Sequence, residues 1–160
     1  MRVLGIDPGY DRLGLAVLEG DPSRPNVVWS DCVIPEKGVP SFRLAAVYEA
    51  VSSAILQHKP DKLSLETLFF STNKKTALAV AEARGAILAA AGAHAILVSE
   101  YSPGQVKLAV TGHGAADKSA IARMIPHLVI LPERARYDDE LDAIAVAIAG
   151  LSDRFVPSIP

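Results

Sequence analysis

Cysteine is nearly missing from this sequence. The one thiol in 160 residues, Cys32, excludes an intramolecular disulfide and a cysteine-rich zinc centre, and it suits a reducing, cytosolic setting. Long apolar runs are missing too. No window reaches the roughly 18 apolar residues that a membrane span needs. The N-terminal "MRVLGID" shows no basic region followed by an apolar stretch and a cleavage site. Neither a secretory signal nor a membrane partner is therefore expected. There is no basic excess: the formal net charge is −2, which argues mildly against a nucleic-acid partner. That objection weakens if several acids are metal ligands, because bound cations cancel their charge. The histidines form no pair at helical spacing, so none is assigned as a ligand. Repeats, low-complexity tracts and linkers are also lacking. With 50% hydrophobic and 21% charged residues the composition is ordinary for a globular protein, and residues 1–160 are expected to form one domain.

What is present is a succession of strand and helix signals. Residues 2–7 read as a buried strand, and Gly9 lets the chain turn tightly. "LGLAVLEG" (13–20) and "NVVWSDCVI" (26–34) read as two further strands, joined by the turn residues "DPSRP". Short links between three consecutive strands predict an antiparallel meander. Leu44, Tyr48, Val51 and Ile55 fall at helical spacing within 40–60, with Pro60 as the stop. "DKLSLE" (61–66) is a short strand ending at Glu66. The loop "TLFFSTNKK" leads into an alanine-rich helix over 76–93, followed by a strand over 95–101. Ser102 and Pro103 have the chemistry of an N-cap and a first helical turn. "TGHGAADK" breaks that helix, "SAIARMI" forms another that Pro126 ends, and 138–151 is a last, mostly apolar helix. Trp29 and Tyr48 are expected in the core. The order predicts a mixed α/β sheet with helices packed on it.

Acids punctuate this pattern at unusual places. Asp7 closes a hydrophobic strand, where a carboxylate is costly unless a cation meets it. Glu66 closes another strand. Asp138, Asp139 and Asp142 open the last helix, and Asp142 shares a face with either of the other two. Taken one at a time, each acid has a plain explanation. An aspartate after a strand is commonly a turn-former, and acids at a helix start complement its dipole. Asp142, set between Leu141 and Ala143, fits that explanation less well. If the two strands are neighbours and the helix crosses their ends, the acids meet and repel. A divalent cation with a taste for hard oxygen, Mg²⁺ or Mn²⁺, removes the conflict. Two such ions suit hydrolysis of a phosphodiester.

Together these segments resemble the RuvC Holliday-junction resolvases, of the ribonuclease-H-like (retroviral-integrase) superfold. The resemblance runs along essentially the whole chain. It is carried by "GIDPGYDRLGLAVLEG", "LSLETLFFSTNKKTALAVAEARG", "YSPGQVKLAVTGHGAADKSAI" and "DDELDAIAVAIAG". It implies an α/β fold with a five-stranded mixed sheet flanked by helices. Asp7, Glu66, Asp139 and Asp142 are implied as catalytic metal ligands for two ions per site, which selects Asp139 over Asp138. A homodimer that nicks opposed strands of a four-way DNA junction in recombination and repair is implied, working alongside the RuvA and RuvB branch-migration proteins. The alanine-rich helix, with Ala77 and Ala81, is the candidate dimer interface.

The resemblance also suggests which side chains hold DNA. Lys107 and Lys118 match lysines close to the scissile phosphate, although a solvated helix face would explain a lone lysine equally. Phe69 is the residue expected to stack on a base at the junction centre, with Phe70 packed beneath, and Lys74 and Lys75 contact backbone farther out. Gly112 and Gly114 fit either a close phosphate approach or a plain loop. Three other readings remain at this point. An actin-like kinase begins with a similar strand–Asp–Gly, but it needs a second domain and another phosphate loop. A hybrid-cleaving ribonuclease of the same superfold would share the acids. A junction binder that has lost its metal would not have kept them.

Overall fold

The three predicted strands, β1 (Arg2–Asp7), β2 (Leu13–Glu19) and β3 (Asn26–Val33), form the antiparallel meander their short links demand. After α1 (Pro40–His58), β4 (Lys62–Glu66) pairs parallel with β1. After α2 (Lys74–Ala93), β5 (Val98–Tyr101) pairs parallel with β4. The mixed five-stranded sheet therefore has the order β3-β2-β1-β4-β5. Three helices complete the chain: α3 (Pro103–Thr111), α4 (Lys118–Leu128) and α5 (Asp138–Ser152). This computed structural model describes residues 1–67 and 74–152. No helix among the described residues is long and apolar enough to cross a membrane.

Strand alternation divides the core in two. Leu4 and Ile6, Leu13, Leu15 and Val17, and Leu63 and Leu65 point toward α1 and α2, and none is more than 1% exposed. Val3, Ala16 and Leu18 face the other way, under α3, α4 and α5. Trp29 and Tyr48 are half-buried at the edge of the first cluster, with Trp29 stacked on His58 at 4.8 Å between ring centroids. The buried face of α1 is centred on Val47, Val51 and Ala54, so Leu44 lies at its margin.

Three boundaries differ from the sequence reading. The helix expected over 119–125 runs through Pro126 to Leu128. A proline so near the C-terminus gives up one hydrogen bond while keeping a helical φ, and the fully buried Ile125 holds the segment down. The strand expected from 95 begins at Val98. Residues 94–96 instead close α2, with Ala95 at φ 52° and Ile96 N–H donating to Ala91 O at 3.0 Å. Lys59, at φ 48°, caps α1 before Pro60 is reached. Ser102 is the N-cap of α3 in a full capping box with Gln105.

The helix that decides the architecture is α5. It crosses the sheet in close contact with the backbone of β1 and β2 and with the Ser64 side chain of β4. A Cβ on Gly5 of β1 would lie 2.3 Å from Ala143 O, and one on Gly14 of β2 would lie 2.0 Å from Asp139 O. A Cβ on Gly150 of α5 would lie 2.0 Å from Ser64 Oγ of β4. Glycine is used at these points for want of a side chain rather than for its φ. A methyl at Gly5 must push α5 off the sheet, because it meets backbone that cannot rotate away. Gly5→Ala is expected to cost on the order of 3 kcal/mol in urea unfolding, or to prevent folding. Unchanged stability would mean that α5 lies farther out.

Candidate active site

Asp7 and Glu66 are the last residues of two adjacent parallel strands. Ile6 pairs with Leu65, so the acids leave the sheet in step. Alternation turns both toward the α5 side, with Val3, Gly5 and Ser64. Helix α5 then brings Asp139 and Asp142, three residues apart, onto the same face. The carboxylates of Asp142, Glu66 and Asp139 all act on Asp7. Burial first, and then these three negative charges, push its pKa from 3.8 up to about 7, against a smaller opposing effect of Lys118. Glu66 is raised too, by burial and by Asp142, with Lys107 and Lys118 working against the shift.

Two basic side chains sit on the other two acids. Lys118 Nζ lies 2.8 Å from Asp142 Oδ2, and this contact raises the lysine's own pKa. Arg12 lies 3.4 Å from Asp139 Oδ2 and 5.3 Å over the Tyr137 ring. A cleft of about 180 Å³ joins Glu66 and Asp142 to Lys107 and Lys118, walled by Val106 and Ile121. Asp138 turns instead to an adjoining hollow of about 340 Å³, shared with Ser119, Leu141, Lys118 and Asp142. Among the described residues no three acid, histidine or cysteine side chains already converge into a metal cage. The acids share one end of the sheet, and Lys118 and Arg12 each pair with one of them. An assembly of four hard-oxygen donors, charged enough to hold a proton on Asp7 near neutrality, has the donor chemistry for a divalent cation.

The structure brings together Asp7, Glu66, Asp139, Asp142, Lys107 and Lys118. Phe69 and Phe70 lie outside the described residues, as do the side chains of Lys74 and Lys75, whose backbone opens α2. Gly112 is the C-cap of α3, at φ 72°, which favours the plain-loop explanation for that residue. Two features were missed in the sequence. Arg12 stands in a turn where nothing marks it as a neighbour of Asp139. Glu140, whose place in the first helical turn suggests only an acid complementing the dipole, is 2% exposed and bound to Arg134 and Ser30.

With this geometry in view, the family comparisons become specific. Residues 3–150 match the family model described as crossover junction endodeoxyribonuclease RuvC. The chain belongs to that family. A RuvC from Moorella thermoacetica is 41% identical over 153 residues, covering 95% of this chain and 92% of the relative. One from Desulforamulus reducens is 43% identical over 149 residues, covering 92% and 91%. The structure of Thermus thermophilus RuvC superposes with a TM-score of 0.84 at 32% identity, over 93% of this chain and 92% of that one. The same protein in complex with a Holliday junction substrate gives 0.87 at 31%, over the same shares. The fold is thus the ribonuclease-H-like fold of the RuvC resolvases.

The raised pKa of Asp7 makes a sign-definite prediction for the metal-free protein. The folded state holds the proton more tightly than the unfolded one, so stability falls as pH rises from about 4 to about 7. Asp7→Asn removes this loss. In chelator at about pH 8 the variant should be more stable than wild type by on the order of 4 kcal/mol, and the gap should close toward about pH 4. Thermal unfolding across that range checks it, and a destabilised Asn variant at high pH would contradict the charge crowding.

Proposed function

We propose that this protein is a structure-specific endodeoxyribonuclease that resolves Holliday junctions by paired nicks during homologous recombination and DNA repair. The observation that carries this reading is the meeting of Asp7, Glu66, Asp139 and Asp142 beside Lys107 and Lys118 at one sheet end, in a RuvC-family chain. The reaction is hydrolysis of a phosphodiester, and each nick leaves ends that a ligase can seal. Asp7, Glu66, Asp139 and Asp142 would hold Mg²⁺ or Mn²⁺, two ions per site. When bound, such ions supply positive charge to the phosphate oxygens and lower the pKa of water. The acids themselves bind and orient. Asp7 and Glu66, fixed on strand ends, give a rigid pair, and Asp142 completes the set from a helix locked against them.

Lys118 and Lys107 have a different task. They line the cleft next to Glu66 and Asp142, where an ammonium can stabilise charge developing on a phosphate in the transition state. Lys118, which pairs with Asp142 in this structure, would hold a phosphate oxygen of the DNA. Phe69 is proposed to stack on a base at the junction centre, with Phe70 beneath it, and Lys74 and Lys75 are proposed to hold backbone farther out. A cytoplasmic location suits this substrate, and RuvA and RuvB are proposed to act alongside.

Two opposed nicks need two active sites related by a two-fold axis, which an isologous homodimer supplies. The candidate surface is α2. Its outward stripe carries Leu78, 67% exposed, then Gly85 and Ala89, where small residues allow close approach. Ala77 and Ala81 are half-buried at its flank. Sedimentation at assay concentrations should give a dimer, and a monomer that still cuts both strands in concert would contradict this.

The cleavage test uses a synthetic four-way junction with and without Mg²⁺ or Mn²⁺, beside duplex and RNA–DNA hybrid controls. Asp7→Asn and Glu66→Gln should each lower cleavage about 1,000-fold or more while junction binding persists. Near-normal cutting by either variant would sink the metal-site reading. Asp139→Asn should inactivate and Asp138→Asn should not.

A further inference from the structure

The first turn of α5 is held by a buried charge that takes no place among the proposed ligands. Glu140 Oε2 accepts from Ser30 Oγ at 2.7 Å and from the Arg134 guanidinium at 2.5 Å. The other oxygen accepts from Tyr137 N–H at 3.1 Å. Arg134 also donates to Ser30 O at 2.7 Å and Ser30 Oγ at 2.8 Å, and Arg136 Nε reaches the same hydroxyl at 3.3 Å. A carboxylate so buried survives only because each of its oxygens has a donor. The cluster joins β3, through Ser30, to the start of α5.

We propose that Glu140 is a positioning residue of the cleavage site, setting the rotation of α5 so that Asp139 and Asp142 face Asp7 and Glu66. The geometry supports this in two steps. Successive helix residues are about 100° apart, whereas residues three apart share a face. Pinning Glu140 to β3 therefore points Asp139 and Asp142 away from β3 and toward the ends of β1 and β4. Gly14 supplies the second point of contact, since the absence of its Cβ lets the Asp139 backbone lie directly on β2. Two fixed points, one on each neighbouring strand, leave the first turn no freedom to rotate. The Tyr137 N–H bond adds to this, because Glu140 at the N3 position accepts from the backbone N–H of the residue that precedes the helix, the half of a capping box that an N3 glutamate supplies.

This inference rests on the proposed ligand set, and its test separates the two. Mn²⁺ binding is measured by calorimetry without DNA, and single-turnover junction cleavage is measured against Mn²⁺ concentration on saturating junction. Glu140→Ala should raise the half-saturating Mn²⁺ concentration about 10-fold in both measurements and lower the maximal rate. Junction affinity in chelator should be unchanged. Glu140→Gln, which keeps an acceptor oxygen, should fall between the two. If the alanine variant does not fold, Glu140→Gln and Arg134→Lys carry the test, since each keeps part of the cluster. A folded variant with lowered thermal stability but wild-type Mn²⁺ affinity and cleavage would overturn the positioning role and leave a purely structural one. Weakened Mn²⁺ binding in the variants of a wild-type protein that cuts no junction would uphold the positioning role and defeat the resolvase reading instead.

Discussion

The close approach of α5 to the sheet is the constraint on which the remaining structure depends. Gly5 and Gly14 let helix backbone rest on strand backbone, and Gly150 of the helix leaves room for the Ser64 side chain of β4. Ala143 and Ala147 fill what space is left, and both are fully buried. With larger residues the helix would still pack, since its body is apolar throughout, but it would stand off by the thickness of a side chain. Asp139 and Asp142 would then be carried away from Asp7 and Glu66 by the same distance. The meeting of Asp139 and Asp142 with the strand-end acids is therefore a consequence of small-residue packing between α5 and the sheet.

That position works against the stability of the fold. Burial and three like charges hold the Asp7 carboxyl near neutral pKa, and Glu66 is raised by burial and by Asp142. Folding alone does not explain why four acids are kept at one sheet end, because replacing any of them by an amide would relieve the repulsion. The structure meets part of the strain with its own cations, Lys118 on Asp142 and Arg12 on Asp139. The same logic distinguishes the site from the cluster around Glu140, where donors match acceptors and the acid's pKa is lowered by Arg134, Ser30 and Tyr137 despite burial. Glu140 is satisfied by donors within the protein, whereas the four acids at the sheet end crowd their like charges together.

The two faces of the sheet divide this labour. Toward α1 and α2 the strands present an unbroken set of Leu, Ile and Val side chains, which supplies the bulk of the hydrophobic contact. Toward α5 they present Gly5, Gly14 and Ser64 with the acids at the end. Large side chains stabilise one face, and small ones position chemistry on the other.

The sequence by itself determined the element order, the meander, the N-cap at Ser102 and the strand-end places of Asp7 and Glu66. These follow from periodicity and turn chemistry, which act over a few residues and are written locally. The sequence also carried the family resemblance through "GIDPG" and "DELDAIA", and with it the choice of Asp139 over Asp138, which spacing left open. The end of α4 at Leu128 and the start of β5 at Val98 were less legible, because burial of Ile125 and the turn at Ala95 outweigh local propensity. Only the tertiary structure decided that Asp139 lies on Gly14, that Arg12 meets Asp139, and that Glu140 belongs to Ser30 and Arg134 rather than to the acid set. Apart from the Glu140–Arg134 pair, each of those contacts joins residues 104 to 127 positions apart, and no periodicity spans such a distance: they exist because strand pairing and helix packing bring distant backbone together.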